Sequence, residues 1–322
     1  MSQVNPKNEN PLWGIFYIIT AVSMLAVMDA FTKHVAPLYS YPQILFFRSI
    51  FSFIPLYFYL KKSSQLHTLK TKRLGFHFYR GMISIFATYC FVYALANIPL
   101  ASMYAIEFAA PIFITILSVF MLQEHVNFAR WIAVVGGFLG VLFIVQPGSE
   151  TFQLASLIAL FGSFFYALGG IQIRQLSTTE SSGSIVFYFL ALCTIVSAIM
   201  LPFSWKTPNW FDLMCMINVG LCGGVGQILF TKAFSQQKLS VIAPFGYVGI
   251  LWAVFFGWLF WNEIPGMNEW IGGAIIIVSG LYITFQEQKA KKLANALANI
   301  ENAPNLENAL DYDIDGSMRR EN

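Results

Sequence analysis

Residues 91–144, FVYALANIPLASMYAIEFAAPIFITILSVFMLQEHVNFARWIAVVGGFLGVLFI, lie without a gap over residues 230–283, FTKAFSQQKLSVIAPFGYVGILWAVFFGWLFWNEIPGMNEWIGGAIIIVSGLYI. The constant offset is 230 minus 91, or 139. It brings Phe91 onto Phe230, Ala94 onto Ala233, Leu100 onto Leu239, Glu124 onto Glu263, Trp131 onto Trp270, Ile132 onto Ile271, Leu142 onto Leu281 and Ile144 onto Ile283. Register held over so long a stretch marks a duplication, and the rest of the chain fits one.

Of the 322 residues, 57% are hydrophobic and 11% charged, where soluble domains carry roughly 25% charged residues. A helix needs roughly 20 apolar residues to cross hydrocarbon. Runs of about that length fall at 12–34, 42–60, 79–97, 102–122, 130–146, 155–173, 184–204, 210–232, 240–260 and 268–286. Trp13, Tyr39, Tyr41, Trp131, Trp205, Trp210 and Trp270 lie near their ends, as an interfacial aromatic belt requires. Five runs fall in each copy, and an odd number inverts the second copy relative to the first. The expected fold is an all-α integral membrane protein of ten transmembrane helices in two inverted five-helix repeats. Such repeats recur in secondary carriers, whose halves rock about a site near the midplane.

The expected divisions are an N-terminal segment 1–11, a first repeat 12–148, a second repeat 149–286 and a polar tail 287–322 of disordered character. The first apolar run lacks a small-residue cleavage site and is read as a retained span. Basic residues set the orientation: Lys61, Lys62, Lys70, Lys72, Arg73, Arg80, Arg130 and Arg174 gather on one side, and Lys206 lies in a loop on the other. By the positive-inside rule both termini are cytoplasmic. The net charge of +3 is accounted for by this asymmetry and points to no nucleic-acid partner. Cys90, Cys193, Cys215 and Cys222 show no metal-ligand spacing, so no metal, cofactor or catalytic group is expected.

The segment 106–148, EFAAPIFITILSVFMLQEHVNFARWIAVVGGFLGVLFIVQPG after Ile106, resembles the EamA-type module of the drug/metabolite transporter superfamily. QILFTKAF (227–234), VIAPFGYVGILWAVFFGWLFWNE (241–263) and GGAIIIVSGLYI (272–283) resemble its second copy. The resemblance runs from about residue 12 to 286. It implies a basket of ten helices around a central cavity lined mainly by helices 1, 3, 4, 6, 8 and 9, and a small organic solute as cargo. Carriers of amino acids, S-adenosylmethionine and riboflavin belong to that superfamily, and the resemblance does not choose among them. A short-loop plan of this kind fits a bacterial inner membrane. Exchange against a proton or a counter-solute stays open, as does the oligomeric state.

Charge within a bilayer is costly and therefore marks function or a specific ion pair. Asp29 and Lys33 sit one turn apart on helix 1, with Arg48 on helix 2 and Glu107 on helix 4. Asp29 and Lys33, at i,i+4, are expected to pair on one helix face. The plainer alternative is an ion-paired staple joining helices 1, 2 and 4. Glu107, on a helix that lines the cavity by resemblance, is the carboxylate suited to bind an amine or exchange a proton. Tyr104, Gln227 and Tyr247 are further candidates for solute contact, and the aromatic content of 17% suits a flat organic cargo. Pro111, Pro244 and Gly246 are candidate hinges, since proline removes a helix hydrogen bond.

Gly220, Gly223, Gly224 and Gly226, and the GxxxG of Gly136 to Gly140, are read first as sites of close helix packing. Glu124 and Glu263, which repeat at helix ends, are read as caps or anchors. Asp311, Asp313, Asp315 and Gly316 open a calcium-loop pattern whose closing glutamate is replaced by Asn322, so a solvated acidic tail is the expectation. Two other functional classes fit the residues less well. An integral-membrane enzyme on a lipid substrate needs clustered His, Asp, Glu or Cys, and His34, His67, His77 and His125 are scattered. A membrane scaffold has only the polar tail in its favour.

Overall fold

The computed structural model describes residues 11–63, 69–121, 128–146, 153–236, 245–246 and 248–301. Among these the fold is all-helical, without strands. In chain order the helices are α1 (Pro11–Val35), α2 (Tyr41–Lys62), α3 (Leu74–Asn97), α4 (Leu100–Glu107), α5 (Ala110–Met121), α6 (Phe128–Val145), α7 (Leu154–Leu176), α8 (Ser182–Met200), α9 (Trp210–Gln236), α10 (Val248–Trp261) and α11 (Met267–Glu301). Seven segments are long and apolar enough to cross a membrane, α4 and α5 counting together as one, and three shorter apolar helices accompany them. Their outer faces carry large apolar side chains such as Phe58, Phe120, Ile199, Leu251 and Phe260, each more than 60% exposed. In water such a surface would aggregate. Against lipid it is the ordinary solution.

The helix bounds agree with the apolar runs to a few residues, with three informative departures. Helix α3 starts at Leu74, five residues before the run, which places Arg80 nearly two turns from the helix start and no longer at its first turn. The fourth run is broken at residues 108 and 109, between α4 and α5. Pro111 is the second residue of α5, a position where its missing N–H is tolerated, so the break and the proline belong together. Helix α11 continues to Glu301, into the stretch read as tail. Residues 288–301 contain Lys, Leu, Ala, Asn and no Gly or Pro, a composition that sustains helix. The calcium-like pattern at Asp311 to Gly316 lies outside the described residues, as do Glu124, Leu239, Pro244 and Tyr247.

The packing exchanges the two halves of the chain. Helix α1 packs along α9 as α7 packs along α3, α2 meets α9 as α8 meets α3, and α1 meets α10 as α7 meets α4 and α5. Helices α6 and α11 pack on each other. That last contact is made by the glycines of the GxxxG: a Cβ on Gly140 would lie 2.8 Å from the carbonyl oxygen of Gly272, and one on Gly136 would lie 3.3 Å from the Ser279 hydroxyl. The motif thus serves packing within one chain. The α9 glycines do the same. Gly220 abuts Phe51 and the Arg48 carbonyl, Gly224 abuts Ser52 and Pro55, and Gly226 abuts Leu25. The Ser52 hydroxyl donates to the Gly220 carbonyl at 2.8 Å across this contact.

Candidate functional site

One cavity of about 270 Å³ runs through the middle of the bundle. Its wall on α3 is the stripe Arg80, Ser84, Ala87, Thr88, Phe91, Val92 and Leu95, and on α1 it is Ile18, Val22, Leu25, Met28, Asp29 and Thr32. Both follow the spacing of one helix face. Tyr104, Glu107 and Phe108 enter from the α4 end, Tyr166, Gly169 and Gly170 from α7, Gln227, Phe230 and Phe234 from α9, and Ile44, Leu45 and Arg48 from α2. The helices implied by resemblance are therefore mostly present. Helix α2 joins them, and among the described residues the α10 end reaches the cavity through Gly246, just before the helix starts.

The repeat offset of 139 recurs in this wall. Thr88 and Gln227, Phe91 and Phe230, Leu95 and Phe234, and Glu107 and Gly246 are equivalent by that offset, and all eight residues line the cavity. The halves differ where charge is concerned. Gly246 stands opposite Glu107 in the alignment, and Gly170 stands opposite Asp29 when the offset is lengthened to about 141. A Cβ at either glycine would meet nothing within 4 Å. The first half supplies carboxylates, and the second supplies room.

The charged residues sort into two groups. Asp29 Oδ2 accepts a hydrogen bond from the Tyr104 hydroxyl at 2.8 Å, and Asp29, Glu107 and Arg48 all face the cavity. Lys33 does not join them. Its Nζ lies 3.0 Å from Glu263 Oε1 and donates to the carbonyls of Ile98 (2.6 Å) and Leu95 (3.5 Å). The expected Asp29–Lys33 pair is thus replaced by one between α1 and the end of α10. The reason is geometric: the end of α3 and the turn after it offer Lys33 two carbonyls, and the start of α4 offers Glu263 the Leu100 N–H (3.0 Å), a denser set of partners than a lone carboxylate on its own helix. Glu263, read as a cap, caps α4.

More contacts between the two halves lie at this end of the bundle. Asp212 Oδ1 lies 3.2 Å from His34 Nε2, and Asp212 Oδ2 accepts from the Tyr39 hydroxyl at 2.6 Å. The Gln43 amide exchanges hydrogen bonds with the backbone of Lys206 at 2.7 and 3.0 Å. At the opposite end Thr71 meets Glu180 at 2.5 Å, and Lys232 Nζ donates to the Tyr17 hydroxyl at 3.0 Å while lying over its ring. Gln227 is held by its own helix, donating to Thr231 at 3.4 Å.

Arg80 is the cavity residue that sequence reading missed. It was counted among the basic residues of the cytoplasmic side, yet it is 2% exposed, lines the cavity, lies 5.2 Å from the Phe189 ring centre and donates to the Ile185 carbonyl at 3.3 Å. A start for α3 at Leu74 puts it nearly two turns inside the helix, beyond the reach of a charge-counting rule. Among the described residues no group of three or more His, Cys, Asp or Glu is arranged to hold a metal ion.

Spanning helices around an internal cavity walled by apolar rings and a few charges define a multi-pass membrane protein. The model of the EamA-like transporter family matches residues 12–146 and again residues 153–285, and the chain belongs to that family. A riboflavin transporter of Vibrio cholerae is 27% identical over 293 residues, 90% of this chain and 98% of that protein. An S-adenosylmethionine uptake transporter of Rickettsia conorii is 29% identical over 290 residues, covering 89% and 97%. A pseudopaline exporter of Pseudomonas aeruginosa is 28% identical over 268 residues, covering 83% and 94%. A solved crystal structure that is 13% identical superposes with a TM-score of 0.63, over 86% of this chain and 98% of the other. That likeness concerns the fold alone.

Proposed function

We propose that the chain is a secondary transporter that carries a small organic metabolite through the central cavity by alternating access, its two repeats rocking about that cavity. The observation that carries this reading is the shared wall: residues equivalent under the repeat line one cavity, as they must where two halves exchange roles. The three shorter apolar helices complete ten spans in this reading, with the repeats inverted, both termini cytoplasmic and the membrane a cell inner membrane. The Lys33–Glu263 and Tyr39–Asp212 contacts then latch the outer side.

Within the cavity Asp29, positioned by Tyr104, and Glu107 bind a cationic group of the cargo or exchange a proton, with Arg48 balancing their charge. Gln227 supplies a hydrogen-bonding edge, and the rings of Phe91, Tyr166 and Phe230 stack on its flat part. Pro111, with the break before it, and Pro244, Gly246 and Tyr247 are the hinge or gate candidates, while Lys33 serves the latch. Relatives named for riboflavin, S-adenosylmethionine and pseudopaline support an organic cargo. S-adenosylmethionine, riboflavin and amino acids or their derivatives are the cargoes to try. The test is counterflow of each labelled compound into proteoliposomes loaded with the same compound unlabelled. Saturable counterflow of one supports the reading. Its absence for all of them, in folded protein, counts against these cargoes, and absence over a wider set of metabolites counts against the reading itself.

A further inference from the structure

Buried polar side chains ordinarily find partners. Among the described residues, the buried side-chain atoms that find none are Ser40 Oγ, both ring nitrogens of His77, Nε of Arg80, and both Nε2 and Oε1 of Gln172. Five of these six atoms belong to three residues of α3 and α7, helices that pack on each other. His77 and Arg80 are three apart on α3 and so share a helix face. Helix α7 runs antiparallel beside α3: Gly162 abuts Cys90 and Phe91, and Gly169 abuts Ser84. Continued along both helices, that register brings Gln172 to the level of Arg80. All three side chains are at least 97% buried, and Arg80 lines the cavity.

A buried guanidinium whose Nε donor is left over is costly even where its other nitrogens find partners. The cost is understandable where a ligand supplies the missing acceptor. The guanidinium fork fits planar or tetrahedral oxyanions. His77, whose ring lies 4.5 Å from that of Tyr188, and the Gln172 amide add neutral donors. Asp29 with Tyr104 and Glu107 lines the same cavity, and Lys33, one turn past Asp29, reaches the carbonyl of Leu95 on α3, about four turns of helix beyond Arg80, which separates the two poles along the bundle.

We infer that Arg80, with His77 and Gln172, forms an anion subsite of the cavity that takes a carboxylate or phosphate at one end of the cargo, while the carboxylates of Asp29 and Glu107 take a cationic or hydrogen-donating group at the other. The inference rests on the cavity being the path of the cargo. It narrows the cargo to elongated molecules with an anionic end and an apolar or aromatic middle.

The test uses the full chain in lipid nanodiscs, with thermal unfolding followed against 3-phenylpropionate, phenyl phosphate and 2-phenylethylammonium. At least one of the two anions is expected to raise the unfolding temperature of the parent protein saturably. Its half-saturating concentration rises about tenfold or more in Arg80→Gln, as expected for loss of a charge-assisted hydrogen bond, and less in Arg80→Lys. A response to 3-phenylpropionate alone assigns the subsite to carboxylates, and a response to phenyl phosphate alone assigns it to phosphates. Asp29→Asn removes the response to the ammonium probe. Should Arg80→Gln fail to fold, Arg80→Lys and Gln172→Leu carry the test, each weakening anion binding. No anion response in the parent, or one unchanged in the Arg80 and Gln172 variants, overturns the subsite. Anion binding that depends on Arg80, in a protein that shows no counterflow of any solute, upholds the subsite and refutes the carrier reading instead.

Discussion

Lys33 on α1 and Glu263, just past the end of α10, lie 3.0 Å apart, so one ion pair ties the first half of the chain to the second. Its members are only 8% and 22% exposed at the side chain. Removing one partner from such a pair strands the other charge, at about 3 kcal/mol. Lys33→Met and Glu263→Gln are each expected to destabilise the protein by that order, and the double variant by less than their sum. Equilibrium unfolding of the four proteins in mixed micelles measures the coupling. Additive losses would mean that the pair is incidental.

The Tyr104–Asp29 bond predicts an effect on solute handling and little on folding. Tyr104→Phe keeps the ring packed against Gly249 and deletes one hydrogen bond to the carboxylate, about 1 kcal/mol. The KM for a cationic or amine-bearing cargo is expected to rise about fivefold, with kcat little changed. A fall in kcat at constant KM would place Asp29 in the conformational cycle and not in binding.

Among the described residues Glu107 and Asp29 are the carboxylates that face the cavity, which makes them the groups expected to carry a proton coupled to transport. If transport responds to an imposed pH gradient, Glu107→Gln or Asp29→Asn is expected to abolish the response while leaving energy-independent exchange. Uptake into proteoliposomes with and without the gradient checks this. Full coupling retained in both variants would exclude a cavity carboxylate as the proton carrier.

Glycines separate packing from passage. A Cβ on Gly224 would lie 2.8 Å from Ser52 Cα, so Gly224→Val is expected to destabilise the α2–α9 contact by about 1–3 kcal/mol. Gly170 has open space toward the cavity. Gly170→Ala is expected to leave stability unchanged or raise it slightly, alanine being the better helix former. Gly170→Leu is expected to fold and to block transport by filling the cavity. Thermal unfolding and transport measured on the same preparations distinguish the two classes.

Much of this architecture was legible in the residues. The offset that aligns Phe91 with Phe230 also aligns cavity walls, because a repeated fold repeats which helix face turns inward. The small-residue runs announced close packing, since only glycine lets backbones approach so nearly. What stayed hidden depended on contacts between distant parts of the chain. Spacing along one helix offered Lys33 a neighbour in Asp29 and gave no sight of Glu263, although that residue was already marked by its repeat. Arg80 counts with the cytoplasmic charges because it stands second in the apolar run 79–97, and the polar residues Arg73 and His77 before it conceal how early α3 starts. The signal that could have found it was period: Arg80, Ser84, Ala87, Phe91 and Leu95 make one stripe of α3.

The central claim, that the cavity is presented in turn to both sides of the membrane, is tested most directly by sided labelling of one cavity position. Gly170→Cys, in a background lacking Cys90, Cys193, Cys215 and Cys222, places a thiol where there is room for it. Membrane-impermeant maleimide is then applied to oriented vesicles from either side, with and without a transported solute. The account predicts labelling from both sides, with the solute shifting the ratio. Labelling from one side only, at every solute concentration and in a folded protein, would contradict it.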